Sequence, residues 1–317
     1  MTTRIVTLTL NPAIDLACMA PAVRPTHKIR TFNEHFDPGG GGINVARVLH
    51  ALGGDTLALV LTGGITGRWC EELLNETGVP WQAIPIRGRN RISLNVQDQE
   101  SGLEYRFVPE GPVIDVDEWS AALDVLKQTE ADWIVASGSL PRGVPVDFYA
   151  RCAEATAARG QKFVVDTSGA ALHEAVRHGV TLLKVSLGEL AYLAGRALPD
   201  ASSQQQEAEA LLRTGAAKII AVSLGAEGAI LGTPDGFTRL PAIPVQERGA
   251  VGAGDSFLAG LVLALARGWP DDRALGFAMA AGASAVATYG TARVARDAVE
   301  TLYRTWCREM CAPAGIR

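Results

Sequence analysis

The chain has 317 residues, 48% of them apolar, with a formal net charge of −5 and a pI near 5.6. That is enough apolar material for one large α/β core, while the acidic balance and the lack of any basic tract exclude nucleic-acid and membrane-surface partners. Five scattered cysteines (Cys18, Cys70, Cys152, Cys307 and Cys311) are odd in number and speak for reduced thiols rather than a disulfide framework. No signal-peptide pattern opens the chain and no apolar run approaches membrane-spanning length, so a soluble cytoplasmic protein is expected.

In chain order, Arg4 to Leu10 is β-branched and ends at Asn11-Pro12, a first strand closed by a turn. Asp15 falls in the loop just beyond it, and in open α/β sheets ligands bind outside the carboxyl ends of strands. Lys28 to Phe36 alternates and reads as a strand exposed on one face. Pro38 then leads into Gly39-Gly40-Gly41-Gly42-Ile43-Asn44 and a periodic helix over 45–52 closed by Gly53-Gly54. A linker would not run at once into so regular a helix, so the glycines point to close backbone approach by a ligand. They form neither a Walker A loop, for want of a closing Gly-Lys-Ser/Thr, nor a strand-Gly-x-Gly-x-x-Gly dinucleotide site.

Thr56 to Leu61 is a core strand and 67–76 a helix. Trp81 to Ile86, Ile92 to Gln97 and Leu103 to Val108 read as short alternating strands that, with 29–36, make a small antiparallel sheet standing off the body, a lid inserted at about 28–37 and 81–110. Arg87, Arg89, Arg91 and Arg106 give it local positive charge, of which one or two residues are expected to meet an anion. From Asp117 the chain alternates helix and strand (helix 117–129, strand 133–136, helix 146–159, strand 162–165, helix 170–178, strand 182–185). That alternation implies a parallel sheet covered by helices on both faces. Polar residues recur at the strand ends: Ser137 and Ser139, Asp166, Lys184. Helices 187–195 and 203–213 precede strand 219–223, and Leu224 to Gly228 looks like a hairpin into 229–231. Helices 255–267, 271–288 and 296–309 close the chain.

Gly252-Ala253-Gly254-Asp255 immediately precedes an apolar, alanine-rich helix. Helix N-termini present backbone N–H groups without intrahelical partners, and small residues let an anion reach them. Asp255 beside such a seat is placed to accept a hydroxyl proton during phosphoryl transfer. Alone, the tetrapeptide reads equally as an N-capped turn.

Taken together, GGGGINVAR at 39–47 and VGAGDSF at 251–257 resemble the two signatures of the ribokinase-like, PfkB-type carbohydrate kinases. The resemblance extends over nearly the whole chain through TLTLNPAID at the front, SGSLPRGV at 137–144, VVDTSG at 164–169 and VSLGAEGA at 222–229, and lies with the phosphosugar branch. It implies a three-layer α/β/α sandwich of residues 1–317 with a small β-sheet lid that also joins a homodimer. It implies ATP-dependent phosphorylation of a phosphorylated ketohexose, fructose 6-phosphate first, with tagatose 6-phosphate and fructose 1-phosphate as alternatives. A non-catalytic phosphosugar sensor is a remoter reading.

Carried over, Asp255 is the base, and Gly252, Ala253 and Gly254 form the anion hole. Asp15, Gly39, Gly40 and Asn44 hold sugar hydroxyls, Lys28 and Arg91 grip the phosphate, and Ser139 is either a substrate contact or a turn residue. On the nucleotide side Lys184, Ser223 and Gly225 meet the triphosphate, Lys184 reading equally as a solvated strand-end lysine. Glu189, with Asp166 as a second candidate that could instead be an N-cap, orders Mg2+ through water. Ser186 stands where relatives carry asparagine, which puts Mg·ATP binding in question. The stretch 287–293 resembles a loop that lines the adenine pocket and a monovalent-cation site, but it is shorter and lacks their asparagine, which weighs against K+ activation.

Overall fold

The computed structural model describes residues 3–249, 251–288 and 293–311. Among them, two sheets and the helices packed on them account for the architecture. The large sheet is built from β1 (Arg4–Thr9), β4 (Asp55–Thr62), β5 (Trp81–Pro85), β8 (Trp133–Ser137), β9 (Lys162–Asp166), β10 (Val180–Ser186), β11 (Ala217–Ser223), β12 (Ala229–Thr233) and β13 (Gly236–Leu240), in the order β13-β12-β11-β10-β9-β8-β1-β4-β5. The pairs from β5 through β11 are parallel, and β12 and β13 fold back as antiparallel hairpins at one edge.

Strict alternation along these strands makes the layers. Val6 and Leu8 of β1, Ile134 and Ala136 of β8, and Phe163 and Val165 of β9 face a core completed by α3 (Val116–Gln128), α4 (Phe148–Ala157), α5 (Gly169–His178), α6 (Leu187–Ala194) and α7 (Ala201–Arg213). Their neighbours Ile5, Trp133, Val135 and Val164 face the other way. There they meet α1 (Gly41–Ala51), α8 (Ala253–Ala266), α9 (Asp271–Val286) and α10 (Arg296–Cys311). Both faces are therefore dry, and the strands can be apolar on both sides. The result is the three-layer α/β/α sandwich expected. α8 is apolar all round and lies close against α9, where a Cβ on Gly260 would come 3.0 Å from the Ala278 Cα.

The second sheet has the order β3-β2-β6-β7, from β2 (Ala13–Ala20), β3 (Phe32–Gly39), β6 (Arg91–Asp98) and β7 (Glu104–Phe107). It is mixed where the sequence suggests an antiparallel sheet, since β2 and β6 pair in parallel, and it differs from the sequence expectation in three further ways. Residues 13–20 form a strand, so Asp15 lies in a sheet and not in a loop. The segment AIDLACMA alternates, but its alanines carry little β preference and hide the pattern. The strand expected from Lys28 starts only at Phe32, which leaves Lys28 in an exposed loop. Residues 81–85 pair in parallel with β4 and belong to the large sheet. They complete a crossover through α2 (Gly64–Thr77) and form the edge strand, with only Ile84 fully buried.

Candidate active site

Going outward from β1, the chain builds β4 on one side and β8 on the other, so the order reverses between β1 and β8, and the crevice outside their carboxyl ends is where such a sheet receives ligands. Thr9 and Ser137 stand at those two ends. α8 points its N-terminus into the same crevice. Its N-cap, Gly252, is left-handed (φ 80°), a conformation glycine adopts without strain, and no side chain caps the helix. The N–H groups of Ala253, Gly254 and Asp255 thus stand in an uncapped first turn.

Asp255 is fixed from two directions. Asn44 Nδ2 of α1 donates to its Oδ2 at 2.9 Å, and Ser137 Oγ donates to its Oδ1 at 3.3 Å. Burial, reinforced by the nearby Asp166 charge and opposed by Asn44, Lys184 and Ser137, pushes the Asp255 carboxyl up to about 6. A base whose affinity for protons lies near neutrality suits general base catalysis.

Two clefts meet at this helix end. The first, about 180 Å³, is lined by Asp15, Gly40, Gly41, Asn44, Arg91, Ser93, Asn95, Arg106, Gly252 and Asp255, among others. Its outer wall is the small sheet, whose pairings Asp15↔Ser93, Ala13↔Arg91 and Asn95↔Arg106 bring those residues to one face. Arg91 is anchored by donating to the carbonyls of Asn11 and Pro109 at 2.9 and 3.0 Å. The second cleft, about 640 Å³, is mostly apolar and is lined by Ser223, Gly225, Ala253, Gly254, Phe257, Met279, Gly282 and Val286, among others. Beneath Gly254, Lys184 Nζ pairs with Asp166 Oδ2 at 3.0 Å. Burial works against the Lys184 charge, but the Asp166 carboxylate outweighs it and holds the ammonium's pKa above its ordinary value.

The structure therefore brings Asp15, Gly40, Asn44, Arg91, Gly252 and Asp255 to one cleft and Ser223, Gly225, Ala253 and Gly254 to the other. Lys28 lines neither. Ser139 is exposed and accepts from Asn11 Nδ2 at 3.4 Å. Gly39 makes room for the protein itself: a Cβ there would sit 2.2 Å from the Asp15 carboxylate. Gly42 likewise lies against Leu8 and Thr9, so part of the glycine run serves packing and not ligand approach. Ser186 and Glu189 form a capping box at the start of α6, the Glu189 carboxylate accepting from the Ser186 N–H at 2.7 Å and from its hydroxyl at 2.9 Å. Arg87 is spent on Asp115 and Asp117.

The sequence marks Ser137 only as one of several polar strand ends and Arg106 only as one of four arginines of which one or two should meet an anion, and it does not single out Ser93 or Asn95. The period-two spacing of Arg91, Ser93 and Asn95 along one strand was the available signal. Of the stretch 287–293, residues 289–292 lie outside those described. Among the described residues no helix is long and apolar enough to cross a membrane, and no group of His, Cys, Asp and Glu is arranged to bind a metal by itself.

A carboxylate and an uncapped helix N-terminus between a polar, arginine-bearing cleft and a larger apolar one, at the switch point of a parallel sheet, are an arrangement that suits phosphoryl transfer. The chain belongs to the pfkB family of carbohydrate kinases, whose family model matches residues 8–298. It is 41% identical over 302 residues to an ATP-dependent 6-phosphofructokinase isozyme 2 of Mycobacterium tuberculosis, covering 95% of this chain and 89% of that one. Crystal structures of Escherichia coli phosphofructokinase-2 superpose closely. The complex with fructose-6-phosphate has a TM-score of 0.91 at 33% identity, and the complex with potassium 0.92 at 34%, each covering 97% of this chain and 100% of the other.

Proposed function

We propose that the protein transfers the γ-phosphoryl group of ATP to the C1 hydroxyl of fructose 6-phosphate, giving the 1,6-bisphosphate. The observation that carries this reading is Asp255, held by Asn44 and Ser137 where the two clefts meet at the α8 N-terminus. The sugar occupies the smaller cleft, with Asp15 and Asn44 toward its hydroxyls, the Gly40 backbone beside it, and Arg91 with Arg106 toward its phosphate. ATP occupies the larger cleft and points its triphosphate at Gly252, Ala253 and Gly254. In-line attack then passes beside the free N–H groups, which take up charge on the transferred group, while Asp255 accepts the hydroxyl proton late, since the nucleophile needs orientation more than activation.

Asp166 and Glu189, engaged by Lys184 and Ser186, are the oxygen donors that would hold a hydrated Mg2+ at this site. Bound there, the ion neutralises phosphate charge. Lys184, raised in pKa and therefore charged, adds to that neutralisation. The small sheet acts as a lid over the sugar, and its exposed Ile92, Leu103 and Phe107 are apolar surface that a second copy would cover in a homodimer. Unpaired Cys18, Cys70 and Cys152, all buried, fit a reducing cytoplasm.

A coupled ADP assay on fructose 6-phosphate, tagatose 6-phosphate and fructose 1-phosphate, with and without potassium, tests the reading. Fructose 6-phosphate is expected to show the highest kcat/KM. ADP formation with none of the three would overturn it in favour of a sensor, and preference for another would reassign the substrate.

A further inference from the structure

We infer that Ser137 is a positioning residue for the base, and that Gly41 of the first glycine motif exists to admit its hydroxyl. The inference deepens the proposed function and rests on Asp255 being the proton acceptor. Ser137 is the last residue of β8 and is 2% exposed. Its register partner on β9 is Asp166, so backbone pairing on that side sets its height at the rim of the sheet. Its Oγ donates to Asp255 Oδ1 at 3.3 Å, while Asn44 Nδ2 occupies Oδ2 at 2.9 Å. One carboxylate oxygen is thus tied to the sheet and the other to α1.

The space that permits this comes from α1. A Cβ built on Gly41 would fall 2.2 Å from Ser137 Oγ and 2.9 Å from the Ser137 carbonyl carbon. Gly41 has no positive φ that would call for glycine on backbone grounds. Close approach to Ser137 is therefore what excludes a side chain there. The first glycine motif consequently contributes to catalysis from two positions of one helix, Asn44 by touching the carboxylate and Gly41 by making way for the hydroxyl that touches its other oxygen. Asn44 also lines the sugar cleft, whereas Ser137 does not, so Ser137 acts on the reaction through Asp255 alone.

Both bonds run toward the carboxylate and favour its ionised form. The other charges around Asp255 are Asp166 of β9 and Lys184 of β10 beneath it, and Asp15, Arg91 and Arg106 across the cleft from β2, β6 and β7. Removing the hydroxyl leaves that electrostatic surrounding intact and deletes one donor, so the acid must hold its proton to higher pH.

The test is the pH profile of kcat/KM for fructose 6-phosphate in wild type, Ser137→Ala and Ser137→Thr. In Ser137→Ala the acid limb is expected to move up by about one pH unit, the worth of one hydrogen bond to a charged group. Turnover should fall about fivefold near pH 6 and about tenfold below pH 5, with almost no loss at pH 8.5, and KM for the sugar should stay within about twofold. Ser137→Thr, which keeps the hydroxyl, is expected to restore the limb. An unmoved limb with a uniform loss at every pH, or a large rise in sugar KM, would overturn the assignment and make Ser137 structural or substrate-binding. If Ser137→Ala does not fold, a limb in Ser137→Cys that lies between the wild-type and one-unit-shifted positions supports the assignment, and a wild-type limb overturns it. Absence of wild-type turnover would instead sink the proposed function.

Discussion

Lys184 Nζ stands 3.0 Å from Asp166 Oδ2, and the same ammonium lies 3.1 Å from where a Cβ on Gly254 would be. An ion pair shared by neighbouring strands is thus pressed against the first turn of α8. The side chains are 9% and 13% exposed, and each leaves the other buried and uncompensated if removed alone. Lys184→Met is expected to cost about 3 kcal/mol of stability and to raise the KM for ATP about tenfold, measured by denaturant unfolding and steady-state kinetics. Adding Asp166→Asn should recover part of the stability and none of the ATP affinity.

Asp255 offers a test in which stability and activity move in opposite directions. Its carboxyl sits at about 6 instead of the ordinary 3.8. Between those values the unfolded chain ionises while the folded one keeps its proton, so stability falls as pH rises through that window. Above about 6 the folded protein carries the whole cost, on the order of 3 kcal/mol. Asp255→Asn is expected to lower kcat by about 10²–10⁴-fold and to raise Tm at pH 8 by several degrees, a gain that fades toward pH 4. Calorimetry at the two pH values checks the sign, and a variant less stable than wild type at pH 8 would contradict it.

Gly39 is expected to tolerate no side chain, because the Asp15 carboxylate occupies the place of its Cβ. Gly39→Ala should push Asp15 out of line with the sugar and raise KM for the phosphosugar about 10–100-fold, the loss of a charged hydrogen bond. KM for ATP should change by less than about threefold, since the two clefts share only the α8 terminus.

The Ser186 hydroxyl exchanges two hydrogen bonds with Glu189 across the start of α6. Ser186→Ala removes the cap at a cost of about 1 kcal/mol and leaves the Glu189 side chain held by the backbone N–H of residue 186 alone. The magnesium concentration for half-maximal activity is expected to rise several-fold, with the sugar KM unchanged. A magnesium titration at fixed ATP decides.

The sandwich was legible in the sequence because its strands are short apolar runs punctuated by turns and separated by helix-length periodic segments, a pattern that leaves few topologies open. Asp255 and the glycine run were legible for another reason, since small residues at a helix start carry backbone meaning wherever they occur. β2 was hidden by its alanines, and with it the true setting of Asp15. Assigning 81–85 to the small sheet failed because an edge strand of a parallel sheet can be as exposed as a lid strand. Ser137 and Ser139 flank one glycine and look equivalent on paper. Only the register Ser137↔Asp166 and the turn held by Tyr149 and Thr167 on the Gly138 carbonyl turn the first toward Asp255 and leave the second exposed.

The way the small sheet is rooted sets the mechanics of the whole site. Gly39 and Arg91 both pair with Ala13, from either side, on a single rung, and at that rung the chain passes from β1 into β2 and from β3 toward α1. A swing about this axis moves a residue in proportion to its distance along the strand, about 3.3 Å per position. Asp15 and Ser93 are two positions from the pivot, whereas Ala20 and Asp98 are seven. Under such a swing the rim would move several times as far as Asp15 and Ser93, the proposed sugar contacts, so the doorway would widen while the floor stayed nearly still.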